Sequence, residues 1–133
     1  MTAQAFYRTA MKASGDERRE TAKRATAAVF HALRDRLTME ESDQVVDQLP
    51  AELEAIWRTG EKAGRRPLKL HREEFFDRVR EEIGLASRRE ARGMTLAVFA
   101  ALKEQLSPGE GGDVLAQLPK DLKDVWSEAH VQA

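Results

Sequence analysis

Residues 22–58 read AKRATAAVFHALRDRLTMEESDQVVDQLPAELEAIWR, and residues 91–127 read ARGMTLAVFAALKEQLSPGEGGDVLAQLPKDLKDVWS. The two stretches align without a gap at an offset of 69 residues. Ala22 falls on Ala91, Val29-Phe30 on Val98-Phe99, Leu33 and Leu37 on Leu102 and Leu106, and Val45 on Val114. Gln48-Leu49-Pro50 falls on Gln117-Leu118-Pro119, Leu53 on Leu122 and Trp57 on Trp126. The register continues upstream, pairing Phe6 with Phe75, Gly15 with Gly84 and Arg19 with Arg88. A fixed offset that keeps the large apolar side chains in step is the signature of an internal repeat. What the copies share is mostly apolar, as a shared fold requires, so the shared set reports packing.

Within each copy the apolar spacing dictates helices. Positions 22, 26, 29, 30, 33 and 37 form one stripe of a 3.6-residue period, repeated at 91, 95, 98, 99, 102 and 106. Four helices per copy follow: a first over 3–13 and 71–83, a long second over 17–37 and 87–106, a third over 39–48 and 108–117, and a fourth over 50–59 and 119–128. Gly15 and Gly84 stand where a left-handed C-cap ends the first helix. Thr38-Met39-Glu40-Glu41 fits a capping box, and Ser107-Pro108-Gly109-Glu110 has the same logic with Pro at the first helical position. Gly109, Gly111 and Gly112 weaken the seventh helix by about 1 kcal/mol each, so it is expected to be the shorter or looser of its pair. Met94 and Leu96 stand where the first copy has Ala25 and Ala27, which predicts that the sixth helix is more buried than the second.

The expected fold is all-α: two tandem four-helix units, about eight helices, docked as a pseudo-two-fold bundle. Residues 1–133 then form one compact domain, with repeat one at 3–58, a basic linker at 59–70 and repeat two at 71–128. Docking is required because each unit is smaller than the roughly 70–80 residues at which one core suffices. The core positions that recur are Phe30, Leu33, Pro50 and Trp57, with Phe99, Leu102, Pro119 and Trp126.

Composition bounds the function. Of 133 residues 34% are charged, yet the net charge is −1, which gives no global attraction to nucleic acid or anionic lipid. With no cysteine there is no disulfide framework and no thiolate metal site. The N-terminal MTAQAFYRTAMKAS lacks an uninterrupted apolar segment of a signal peptide, and no run approaches a membrane span. A cytoplasmic location and no membrane partner are expected.

An amphipathic helix, a short acidic helix, then Gln-Leu-Pro with Leu and Trp a few residues on resembles the bacterial domain of unknown function 2267 family. Val29 to Leu37 and Gln48-Leu49-Pro50-Ala51-Glu52-Leu53 with Trp57 carry the likeness, and Val98 to Leu106 and Gln117-Leu118-Pro119 with Leu122 and Trp126 carry it again. It covers nearly the whole chain, as two tandem copies of a unit containing Gln-Leu-Pro. The resemblance implies a small helical bacterial protein and supplies no catalytic residue.

Chemistry-bearing motifs are sparse. His31, His71 and His130 are scattered, with no HEXXH and no second histidine at helical spacing. His31 lies opposite the apolar stripe and is expected to be exposed. Glu40, Glu41, Asp43 and Asp47 lack the Glu-x-x-His partner of a di-metal carboxylate bundle and are read as a solvated face favoured near a helix N-terminus. Gly109-Glu110-Gly111-Gly112 has no Lys-Ser/Thr and follows no strand, so it is not a phosphate loop. Catalytic, cofactor and metal residues are therefore expected to be none, and an enzyme is not expected.

The junction is the local oddity. Across residues 59–73, Lys62, Arg65, Arg66, Lys69 and Arg72 outnumber Glu61 and Glu73, while the flanking bodies are net acidic. Arginine clusters also recur at the starts of the long helices, Arg18-Arg19 and Arg88-Arg89, where cations oppose the helix dipole. Arg65, Arg66, Lys69, Arg72, Arg88 and Arg89 are the candidate contacts to an anion or a partner, against a solvated linker and intramolecular pairing. The expectation is a non-enzymatic interaction or regulatory protein, binding an unknown protein partner or itself as a homodimer, without a cofactor. The alternative is a nucleic-acid-associated protein using the basic junction and the arginine clusters.

Overall fold

The computed structural model describes residues 2–131; residues 1, 132 and 133 of the expected domain lie outside it. Eight α-helices follow one another: α1 (Ala3–Ser14), α2 (Arg19–Arg36), α3 (Met39–Val46), α4 (Ala51–Arg58), α5 (Arg72–Ile83), α6 (Arg88–Gln105), α7 (Pro108–Gln117) and α8 (Lys120–Glu128). Among the described residues there is no strand. Gly15 and Gly84 end α1 and α5 at φ of +78° and +84°, a conformation that costs glycine little. Pro50 and Pro119 stand as the N-caps of α4 and α8, in extended conformation, because proline cannot continue the helix before it.

The two halves interlock. The first helix of each half lies against the long helix of the other, α1 on α6 and α5 on α2, and α1 meets α6 more extensively than it meets its own α2. The long helices touch each other, as do the short acidic α3 and α7. Matching aromatic stacks fill the two ends of the core. Phe30 sits 5.5 Å from Phe6 and 5.1 Å from Trp57, and Phe99 sits 5.8 Å from Phe75 and 5.0 Å from Trp126, all with inclined rings. Edge-on aromatic pairs of this kind add about 0.5–1.5 kcal/mol each beyond the area they bury.

Three expectations are corrected. The glycine-bearing α7 is longer than α3, ten residues against eight, because Ser107 caps it, Pro108 opens it and it runs on to Gln117 where α3 stops at Val46. α6 is not the more buried long helix: Met94, Leu96 and Lys103 stay half-buried, while α2 buries Ala25 and Arg34. The wider apolar arc of α6 instead packs on the rim of the core, beneath α1 from the other half. His31 is not exposed. Its ring nitrogens face the carbonyl of Ile56 at 2.8 Å and the carboxylate of Glu82 at 2.9 Å, tying α2 to α4 and α5.

Polar devices also recur between the halves. Thr26 and Thr95, both buried, donate to the carbonyls of Ala22 and Ala91 one turn back. A cation on each long helix closes the carboxyl end of the Trp-bearing helix. Arg34 donates to the carbonyls of Trp57 and Thr59, and Lys103 to those of Trp126 and Ala129. Positive charge on the free carbonyls of a helix end complements its dipole.

Candidate functional site

The basic junction between α4 and α5 is strapped to the end of α2. The Leu68 amide donates to the Asp35 carbonyl at 2.8 Å, and the Arg65 guanidinium donates to the Leu37 carbonyl at 2.7 Å. Leu70 is buried. The segment is thus tied down at Arg65, Leu68 and Leu70, while most of its other residues are exposed to solvent. Gly60, Lys62, Arg65, Arg66 and Leu68 surround a cleft of about 230 Å³ floored by Asp35. Burial alone pushes the Asp35 carboxyl upward, but hydrogen bonds from Arg34 and Arg78 hold it below the usual carboxylate range. Asp35 is therefore already committed. Arg65, only 9% exposed in its side chain, sets Nε 3.5 Å from the Glu61 carboxylate and keeps Nη2 buried with no acceptor.

The other candidate cations are placed apart. Lys69 and Arg72 are exposed, and Arg72 uses its backbone amide on the Asp121 carboxylate at 3.0 Å. Arg88 makes a two-pronged contact with Asp77, both bonds at 2.7 Å, with Glu73 at 3.7 Å. Its neighbour Arg89 is exposed. Arg18 turns to Asp16 and Arg92 to Glu128 at 2.5 Å. Only Arg65 and Arg66 of the six candidates share one cleft, joined there by Lys62.

A second site was not visible in the sequence. Thr38 and Ser107 accept from the backbone amides of Glu41 and Glu110, as a capping box requires. The return half of the box is absent and its place is taken across the pseudo-two-fold. Gln117 Oε1 accepts from the Thr38 amide at 3.1 Å, and Gln48 Oε1 accepts from the Ser107 amide at 2.7 Å. Each Gln of the Gln-Leu-Pro element thus caps a helix of the opposite half.

With that task removed, the two glutamates turn inward. Glu41 is 7% exposed and Glu110 6%, which corrects the reading of a solvated face for Glu41, while Glu40, Asp43 and Asp47 are exposed as expected. They are equivalent positions of the two copies, brought together where α3 meets α7. Oxygens of Glu41, Glu110 and Asp113 all lie within 4.8 Å of one another. Gln117 Nε2 reaches Glu41 Oε1 at 3.4 Å, while the Oε2 atoms of Glu41 and Glu110 are buried with no partner. Two ionised carboxylates at this separation repel by roughly 3 kcal/mol or more at an effective dielectric of about 20. Burial, then the hydrogen bond and charge of Glu41, then the charges of Asp113 and Asp47 push the Glu110 carboxyl up to about 8.

An all-α bundle of two like halves, locked together by exchanged caps, is the class the fold defines. The family described as "Uncharacterized conserved protein (DUF2267)" matches residues 3–130, which takes in both halves, and the chain belongs to that family. No curated protein matches the chain. Among the described residues no helix is long and apolar enough to cross a membrane.

Proposed function

We propose that this chain is a non-enzymatic interaction module of the bacterial cytoplasm whose basic junction receives an acidic segment of a protein partner. The observation that carries this reading is one cleft shared by three cations: Lys62 and Arg66, exposed, and Arg65, which faces Glu61 through Nε and keeps Nη2 without an acceptor. A guanidinium nitrogen lacking an acceptor favours a carboxylate through a charge-assisted hydrogen bond, and the exposed Lys62 and Arg66 add positive charge beside it. Leu68, 47% exposed, supplies an apolar contact at the rim. A cleft of this size suits a short peptide and a transient contact better than a broad permanent interface.

The same surface argues against the other two readings. Self-association through an apolar face finds little support, since Leu68 stands alone as an exposed large hydrophobic side chain among the described residues. Nucleic acid would need phosphate contacts together with a stacking or groove element. All eight aromatic rings lie in the core, and Arg18 and Arg88 have acidic partners within the chain.

A low-salt pull-down from host lysate, with and without nuclease, tests the reading on the whole chain and on a Lys62→Glu/Arg66→Glu variant. A nuclease-insensitive protein retained by the wild type and lost by the variant is the expected result. Recovery of nucleic acid alone, of nothing, or of the same protein by both forms refutes it.

A further inference from the structure

We propose that Glu41, Glu110 and Asp113 form a binding site for one hard divalent cation, of the Ca²⁺, Mg²⁺ or Mn²⁺ class, at the contact of α3 and α7. Acidic clusters are common on helix surfaces, but two of these three carboxylates are more than nine-tenths buried. Their Oε2 atoms are shielded from solvent and accept from no N–H or hydroxyl of the chain. Two such oxygens face to face need a positive charge between them, which a proton shared by the pair or a bound cation supplies.

The geometry selects the kind of occupant. Ligand oxygens sit about 2.0–2.6 Å from a hard cation, so any two on one ion are at most about 5 Å apart. The three carboxylates meet that limit at 4.8 Å. An all-oxygen donor set without histidine or thiolate favours hard ions over zinc or copper. A proton shared between Glu41 and Glu110 relieves one repulsion, but leaves Asp113 and the nearby Asp47 without a counter-charge. A divalent ion answers the whole cluster. Gln117 fixes the Glu41 carboxylate through Oε1, leaving Oε2 as the donor. The exposed Asp113 marks the side from which the ion enters and on which water completes its coordination.

The site also gives the pseudo-two-fold a purpose beyond packing. It draws one ligand from each copy of the same sequence position, so an ion there clamps the halves where α3 and α7 meet. Binding to the folded form alone raises stability by mass action.

Mn²⁺ is the probe, titrated into chelator-stripped full-length protein at neutral pH, with free ion read from its electron paramagnetic resonance signal. The expected result is one saturable ion per chain, displaced by Ca²⁺ or Mg²⁺, with a raised unfolding temperature. Glu110→Gln is nearly isosteric and Asp113→Asn changes an exposed side chain. Both are expected to keep cooperative unfolding and to bind Mn²⁺ at least about tenfold more weakly, the scale seen when metal-site groups are removed. No saturation by about 1 mM, or a smaller loss in either variant, overturns the site.

Discussion

Trp57 and Trp126 occupy equivalent positions in the two halves, yet their indole N–H groups meet different fates. Trp57 donates to the buried Ser42 hydroxyl at 2.7 Å. Gly111 stands in place of that serine in the second half, and Trp126 has no protein acceptor for its N–H among the described residues. A shallow cleft of about 380 Å³, lined by Gly111, Gly112, Leu115, Pro108 and Trp126, opens there instead. Arg34 and Lys103 differ in the same sense: the arginine is 4% exposed, while the lysine is half-buried. Burial still lowers the Lys103 pKa. Apolar contacts tolerate divergence around them because they need only volume, whereas a polar contact requires both partners. The first half has a buried Trp–Ser pair that the second lacks, while the cation at the end of the Trp-bearing helix is present in both. Among the polar positions that stay alike in both halves, Thr26 with Thr95 bond within their own helices, whereas Gln48 with Gln117 and Glu41 with Glu110 act across the interface.

The largest expected effect tests the two aromatic cores against each other. Trp57→Ala should cost about 3–5 kcal/mol, the range for large-to-small changes of a buried aromatic. Trp126→Ala should cost less, because no buried hydroxyl is orphaned. Urea unfolding of both variants reads the difference, and equal losses would erase the distinction between the halves.

Next is the glutamate pair, measured in chelator. Folded Glu110 holds its proton up to about pH 8, against an ordinary glutamate value of 4.5. The stability this proton gives is full below pH 4.5 and is lost as pH rises through about 8. Glu110→Gln should therefore be more stable than the wild type by roughly 1–3 kcal/mol above that pH, with the gain shrinking toward pH 5. A gain that does not vary with pH would place the effect in helix propensity instead.

The exchanged caps come third. Gln48→Ala and Gln117→Ala should each cost about 1 kcal/mol, the usual worth of a helix cap, and by similar amounts if the two-fold is a working symmetry. A loss in only one of them would show that one crossing bond carries the interface. The smallest effect is a repair. A Cβ at Gly111 meets no atom within 4 Å, so Gly111→Ser has room to present a hydroxyl to Trp126 as Ser42 does to Trp57. The gain should be about 1 kcal/mol from the hydrogen bond and the removed glycine together, read as a raised unfolding temperature.

Eight helices, their order and their ends were legible because they depend on neighbours in sequence: the apolar stripe of α2 and α6, the glycines at 15 and 84, the prolines at 50 and 119. Both Trp-centred cores were legible for the same reason. The glutamate pair was hidden by a competing local explanation. Ser/Thr-x-x-Glu is a capping box on any reading of the sequence, and nothing local reveals that a glutamine from the other half has taken the amide. The available signal was that Glu41 and Glu110 repeat at the same offset as the core residues, the one acidic residue identical in both copies. His31 was misplaced because its acceptors, Glu82 and the Ile56 carbonyl, come from α5 and α4, which a helical wheel of α2 does not contain.

By itself the sequence determined the helices and the repeat, since periodicity and capping act over a few residues and a duplication is visible as text. Only the tertiary structure decided that α1 crosses to α6 and α5 to α2, that caps are exchanged between halves, and that Glu41 meets Glu110 in the interior. Those outcomes depend on how two amphipathic units bury their faces against each other, and that docking is set by shape and charge at positions far apart in the chain, 59 residues for Gln48 with Ser107 and 79 for Thr38 with Gln117.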